Sequence, residues 1–216
     1  MSEGHAKFPP SGAERWLKCG YSIKMAGFYK SVDTAASING TNHHARGALH
    51  LENGTEPKDD KMRIYTNAVR MAAEGGELFV ERRVIIVPEL CEGTADAIVL
   101  RSDLLHIFDL KWGTSAVHAT DNPQEKIYGI GAVQEFNLPD DLPVRLTIVQ
   151  PNGKSGWPVK NWDTDVEHLM KFKKDKIIPA IQNGLSENPK AVAGSHCYWC
   201  PAKIHCKAYL LTKGKK

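Results

Sequence analysis

Gly93-Thr94-Ala95-Asp96-Ala97-Ile98-Val99-Leu100-Arg101-Ser102-Asp103-Leu104-Leu105-His106-Ile107-Phe108-Asp109-Leu110-Lys111 reads as a β-hairpin. Residues 94–100 and 104–111 are rich in apolar and β-branched side chains, and Arg101-Ser102-Asp103 supplies the turn. The second run is apolar almost throughout, which places the hairpin in the core. Yet it carries Asp96, Asp109 and Lys111. On a strand, positions i and i+2 share a face, so Asp109 and Lys111 point the same way, and Asp96 approaches Asp109 from the partner strand. Buried acids and a buried lysine are costly unless paired or bound to metal. Two carboxylates offer hard oxygen ligands suited to Mg²⁺ or Mn²⁺. A lysine beside them can orient or deprotonate an attacking water and offset charge developing on a phosphate. The pattern points to phosphodiester hydrolysis. A buried ion pair of Lys111 with Asp96 or Asp109 is the plain structural alternative.

Working outward, residues 12–25, 41–52 and 59–74 read as helices. The last shows the 3.6-residue spacing in Met62, Ile64, Tyr65, Ala68, Val69 and Met71. Residues 78–87 read as strand. Downstream, Pro123 suits the first turn of a helix over 123–136, and 144–149 reads as a further strand. A Thr164-x-x-Glu167 capping box opens a long helix over 164–183, with Gly184 as its stop and Pro179 a candidate kink. Helices, strands, then helix, strand and helix describe an α/β domain: a small mixed β-sheet flanked by helices.

The 216 residues, 42% hydrophobic and 25% charged, suffice for a single globular domain spanning 1–216 with a sizeable core. A net charge of +3 is compatible with nucleic acid without arguing for it. Lysines gather towards the C-terminus. Lys171, Lys173, Lys174 and Lys176 form one group, either a DNA-facing surface or a solvated helix face; Lys203, Lys207, Lys213, Lys215 and Lys216 form another. No apolar run reaches the length of a membrane span, and residues 1–10 lack a signal-peptide pattern. The expected compartment is the cytoplasm, where thiols stay reduced, so the five cysteines call for a role other than disulfides.

Four of them fit one role. Cys197-x-x-Cys200 and Cys206 cluster near the C-terminus, and Cys19 lies near the N-terminus. Four thiolates suit an iron–sulfur cluster or a structural zinc. Zinc sites more often show two Cys-x-x-Cys pairs or paired Cys and His. In a zinc site His196 or His205 could replace a thiolate. Trp199, Pro201 and Trp16 flank the set and would shield a cluster from water. Cys91 reads as an ordinary strand cysteine.

Further short motifs accompany the hairpin: Gly40-Thr41-Asn42-His43-His44 on a helix, Gly93-x-x-Asp96, Asp109-x-Lys111, and Gln124-x-x-x-Tyr128. In this order they resemble the RecB-like branch of the PD-(D/E)XK nuclease superfamily, most of all its phage-encoded members and the small RecB-like exonucleases of CRISPR adaptation. The resemblance runs from about residue 11 to 206. It implies a restriction-endonuclease-like core and a Mg²⁺- or Mn²⁺-dependent deoxyribonuclease, expected to be an exonuclease in recombination, repair or phage DNA processing. By it, His44, Asp96, Asp109 and the Leu110 carbonyl would bind the metal, and Lys111 would join Asp96 and Asp109 as the catalytic set. Gln124 and Tyr128 would contact DNA or brace the site. Glu81, on the preceding strand, could add an outer ligand or form a surface salt bridge. The cysteine frame is similar to nucleases in which a 4Fe–4S cluster clamps the termini, here residues 11–30 against 190–210. DNA is the implied partner, with a recombinase or single-strand-binding protein as a possible companion and no membrane. A phage-encoded protein would work in the host cytoplasm. Two other classes compete: a nucleic-acid-binding scaffold with a nuclease fold and little activity, which the intact Asp96, Asp109 and Lys111 disfavour, and a cluster-based redox protein, which the lack of a glycine-rich nucleotide motif disfavours.

Overall fold

The structure, a computed structural model, describes residues 6–29, 33–154 and 156–213. Its centre is a five-stranded sheet in the order β1 (Glu77–Val87), β2 (Cys91–Arg101), β3 (Leu104–Leu110), β4 (Pro143–Val149) and β5 (Val159–Asp165). The first three strands form an antiparallel meander. β3 and β4 run parallel, and β5 closes the edge antiparallel to β4. A parallel neighbour needs a crossover, and α5 (Pro123–Phe136) provides it.

Helices cover both faces. On one, α3 (Ala35–Glu52) and α4 (Asp60–Ala73) lay Leu51, Met62, Tyr65 and Val69 against Ala97, Val99, Phe108 and Leu110. On the other, α5 packs with α6 (Val166–Phe172), α7 (Ile178–Leu185) and the N-terminal segment, joining Phe8 and Trp16 to Ile107, Ile127, Ile130 and Leu146. Asn122 caps α5 by accepting from the Gln124 and Glu125 amides, and Asn137 ends it in the left-handed region at φ 51°. Two close approaches require glycine. A Cβ at Gly131 would meet Val84 at 2.6 Å, and one at Gly93 would meet Pro10 at 2.7 Å.

Several expected boundaries move. The helix over 12–25 is two short ones, α1 (Ala13–Trp16) and α2 (Tyr21–Ala26), around Gly20, where a Cβ would strike Asn183 at 2.4 Å. α3 begins six residues before 41, because Thr34 and Ser37 form a reciprocal capping box. Thr164 lies in β5, and Asp165 caps α6 instead, accepting from the His168 amide at 2.7 Å. The long helix is interrupted by a π-helical turn at Lys173–Ile177 just before Pro179, and α7 runs past Gly184 to Leu185. A proline lacks the amide that an unbroken ladder needs there. Beyond it lie two 3₁₀ turns, Ser195–Trp199 and Lys203–His205, and α8 (Lys207–Lys213). No helix among the described residues is long and apolar enough to cross a membrane.

His106 is a buried polar joint in the sheet. Its Nε2 lies 2.7 Å from the Thr147 hydroxyl, which donates to Asn161 Oδ1 at 2.8 Å. Since Thr147 spends its one proton on Asn161, Nε2 must carry the hydrogen. Burial, assisted by Arg145, holds the imidazole down to about 3. The unfolded chain therefore binds a proton between about 3 and the ordinary 6.5 while the folded chain does not. In that window this group makes stability rise with pH by about 1.4 kcal/mol per unit. Chemical denaturation of His106→Gln across pH 4–6 is expected to show a correspondingly flatter slope. A slope equal to that of the natural chain would mean the imidazole protonates without unfolding.

Candidate metal and catalytic site

The strand registers create the site. Val80 pairs with Ala97 and Ala97 with Phe108, so the next row across β1, β2 and β3 is Glu81, Asp96, Asp109. Pairing is interrupted at this row: Arg82 with Ala95 resumes beyond it, and β2 and β3 do not pair past Ala97. Glu81 holds a left-handed backbone at φ 47°. Strain of this kind in a non-glycine residue is of order 1–3 kcal/mol and concentrates at functional sites. Like charges directly opposite on neighbouring strands repel. Burial, reinforced by Asp96, pushes the Glu81 carboxyl above its ordinary range.

Cationic and polar groups answer this row. From α3, His44 Nδ1 lies 2.8 Å from Asp96 Oδ1. Burial pulls the imidazole down, but Asp96 outweighs it and the net direction is up. Donor atoms of His44, Glu81 and Asp96 all fall within 4.8 Å of one another, the arrangement of a cation site. The other Asp96 oxygen accepts from the Leu110 amide at 2.6 Å. Asp109, 2% exposed, has Lys111 Nζ 2.6 Å from Oδ2. Gln124, at the start of α5, closes a ring: it accepts from Lys111 Nζ at 3.0 Å and donates to Asp109 Oδ1 at 3.0 Å, and Nε2 also reaches the Tyr128 hydroxyl at 3.1 Å. Burial pulls Lys111 down, but the Asp109 carboxylate outweighs it and raises it, so the resting side chain is an ammonium.

His44, Asp96, Asp109, Lys111, Gln124 and Tyr128 are therefore neighbours; the donor atoms that come within 4.8 Å of one another are those of His44, Glu81 and Asp96, while Asp109 faces Lys111 and Gln124. His44 rather than His43 reaches Asp96; His43 stacks on Trp112 at 3.7 Å between ring centres. Gln124 and Tyr128 are within the hydrogen-bonded ring. Glu81, read only as an outer candidate, is in the central row. One participant was not anticipated. Glu125 is fully buried, neither of its carboxylate oxygens has a hydrogen-bond partner among the described residues, and burial followed by the Asp109 charge pushes its carboxyl well up, with Lys111 opposing. A helix buried all round, as α5 is, would have flagged it.

Four of the cysteines gather at a second place. Cys19, Cys197, Cys200 and Cys206 line one small cavity together with Arg15 and His196. Amides of Val192 and Gly194 donate to the sulfurs of Cys19 and Cys197 at 3.5 and 3.4 Å. Arg15 Nε is buried with no hydrogen-bond partner among the described residues. Cys91 stands apart in the core, its thiol pushed up to about 12 by burial. Two expected shields do not serve: Trp16 packs edge-on against Phe8 at 5.6 Å in the main core, and Trp199 is 75% exposed. On the lysine-rich turn, Lys171 pairs with Asp175 and Lys173 donates to Gln134.

The chain belongs to the DUF2800 family, described as a protein of unknown function, which it matches over residues 5–69 and 60–213. Two solved structures are similar to it. One is the crystal structure of SSO0001, at 16% identity and a TM-score of 0.45, covering 97% of this chain and 89% of that one. The other is the alkaline exonuclease LHK-Exo from Laribacter hongkongensis, at 11% identity and a TM-score of 0.37, covering 94% and 98%.

Gln124 joins Lys111, Asp109 and Tyr128, so Gln124→Met should leave buried polar groups short of partners. The expected loss is about 1–3 kcal/mol of stability, read by chemical denaturation in chelator. A change below about 0.5 kcal/mol would show that the ring is not maintained in solution.

Proposed function

We propose that this protein is a divalent-metal-dependent nuclease that hydrolyses phosphodiester bonds of DNA. The observation carrying the proposal is the row Glu81, Asp96, Asp109, with His44 at one side and the Lys111–Gln124 ring at the other. The donor set fits a hard divalent cation: three carboxylates in line, one imidazole, and a strained backbone that holds the outermost acid in place. His44, Glu81, Asp96 and Asp109 would hold the ion, with the Leu110 carbonyl as a further ligand. The chemistry such an ion supplies is that of a Lewis acid, neutralising charge on a phosphate and making water more acidic. Lys111 is an ammonium held by Asp109 and Gln124, suited to orient a water and offset charge on a phosphate oxygen. The fixed geometry of its two partners keeps that role available without reorganisation. DNA rather than RNA, and an exonuclease acting in recombination, repair or phage DNA processing, follow from the resemblance of the motifs to RecB-like nucleases.

The second centre fits a 4Fe–4S cluster that ties residues 11–30 to 190–210. Four thiols line one cavity, two amides donate to sulfur, and the Arg15 guanidinium at its wall would balance anionic thiolates. A four-thiolate site has no open position, so its role is to hold the fold together.

Labelled single-stranded and duplex DNA test the nuclease reading. Cleavage is expected with Mn²⁺ or Mg²⁺ and none with EDTA. Asp109→Ala should abolish it. Lys111→Ala should lower the rate by roughly 10²–10³, while bound metal, followed by calorimetry, and a folded state in Mn²⁺ persist. A folded Lys111→Ala chain that cleaves at the natural rate would remove Lys111 from the mechanism, and a natural chain inert towards every DNA form would overturn the proposal. The cluster has its own test. Anaerobically purified protein should be brown and contain about four irons per chain. Cys19→Ser should lose the metal and Cys91→Ser keep it. About one zinc and no iron would exclude the cluster.

A further inference from the structure

We infer that the outer face of the cysteine module is a binding site for single-stranded nucleic acid, an inference that takes its ligand class from the nuclease reading. Three observations carry it. From residue 188 to the C-terminus there is no Asp or Glu, while Lys190, Lys203, Lys207, Lys213, Lys215 and Lys216 all carry positive charge. On this wholly basic module Tyr198, Trp199 and Ile204 stand 65%, 75% and 65% exposed, although they flank the cysteines that hold the module together. A contiguous exposed apolar patch on a soluble domain marks a binding surface.

The third observation is geometric. Tyr198 and Trp199 meet edge to face, with ring centres 4.7 Å apart and planes at 86°. Two neighbouring rings at right angles cannot merge into one flat apolar face. Each offers its own π-surface, as successive unstacked bases require. Lys203 is fixed beside them: its Nζ donates to the Tyr198 carbonyl at 2.9 Å and lies 5.3 Å from the Tyr198 ring centre. Ammonium groups next to exposed rings match the alternation of phosphate and base along a single strand. Duplex DNA keeps its bases stacked inside and cannot use the rings. The same backbone segment carries Cys197 and Cys200, so the cysteine site sets the spacing of the two aromatics.

Fluorescence anisotropy with a labelled 20-nucleotide oligo-dT tests this, using the full chain under anaerobic conditions with Ca²⁺ in place of Mg²⁺. Trp199→Ala should weaken binding about tenfold, within the roughly 1–3 kcal/mol that stacking contributes per base. Lys203→Gln with Lys207→Gln should lower the salt slope by about 1.4, at about 0.7 per phosphate on a single strand. Affinity for a blunt 20-base-pair duplex should not respond to Trp199→Ala. Unchanged oligo-dT affinity and salt slope in these variants would overturn the inference. So would Trp199-dependent binding to phosphatidylglycerol vesicles, or Trp199-dependent self-association, with oligo-dT binding unaffected. Mn²⁺-dependent hydrolysis of bis(p-nitrophenyl) phosphate, too small to span both sites, separates this from the nuclease reading. If that ester and every DNA form are inert but oligo-dT binding depends on Trp199, the nuclease reading fails and the binding site stands. If the ester is hydrolysed equally by the natural chain and Trp199→Ala while oligo-dT affinity is also equal, the binding site fails alone.

Discussion

Three carboxylates in one row of a sheet, Glu81, Asp96 and Asp109, impose a repulsion that the surrounding structure is arranged to answer. Two like charges about 5 Å apart at an effective dielectric near 20 repel by about 3 kcal/mol. Two such neighbours would consume much of the roughly 5–15 kcal/mol by which a domain is stable. Each counter-group comes from a different part of the chain: His44 from α3, Lys111 from the end of β3, and Gln124 from the start of α5. The sheet yields as well. Its hydrogen-bonding is interrupted at that row, and Glu81 takes a backbone conformation that its side chain disfavours. A row of like charges costs stability unless it serves a ligand, and that is the physical case for a cation at this place.

The same row explains what the sequence could and could not disclose. Asp96, Asp109 and Lys111 stood out because charged residues in an apolar hairpin are conspicuous against their neighbours. Gln124 and Tyr128 share a helix face at i and i+4, so a linear motif could place them together. Glu81 could not be placed the same way. It lies among Glu81, Arg82 and Arg83 on a partly exposed strand, and its membership in the site depends on one left-handed residue. Glu125 was equally hidden, since an acid next to a lysine in a helix reads as a solvated pair unless the helix is known to be buried all round.

Element boundaries follow a similar rule. The bounds of α5 were legible because Pro123 starts it and Asn137 can adopt the left-handed cap. β5 has no strand pattern in the sequence: in Val159-Lys160-Asn161-Trp162-Asp163-Thr164-Asp165 the two apolar residues, Val159 and Trp162, fall on opposite faces, and only the burial alternates as on an edge strand. Arg145 on β4 pairs with Asp163 opposite it, so its register is held by charge as much as by burial. The start of α3 was hidden because its capping box uses Ser37 where the usual signature has Glu or Gln. Tertiary contacts and atypical caps decided these cases, and neither has a strong local signal.

The two centres are mechanically joined through α5. α1 packs against α5 and, through Arg15, also lines the cysteine cavity. Pro10 sits against Gly93 so tightly that any side chain there would collide, which presses the N-terminal segment onto the strand that carries Asp96. The proposed cluster would close Cys19 to Cys206 and restrain nearly the whole chain, and a loop of that length gains more from closure than a short one. Its local effect matters as much. A cluster held by Cys19, as proposed, would steady α1, and α1 supports the helix whose first turn presents Gln124 to Asp109 and Lys111. Substitution of the cysteines would on that reading loosen the hydrogen-bonded ring from behind, without removing a single residue that touches it.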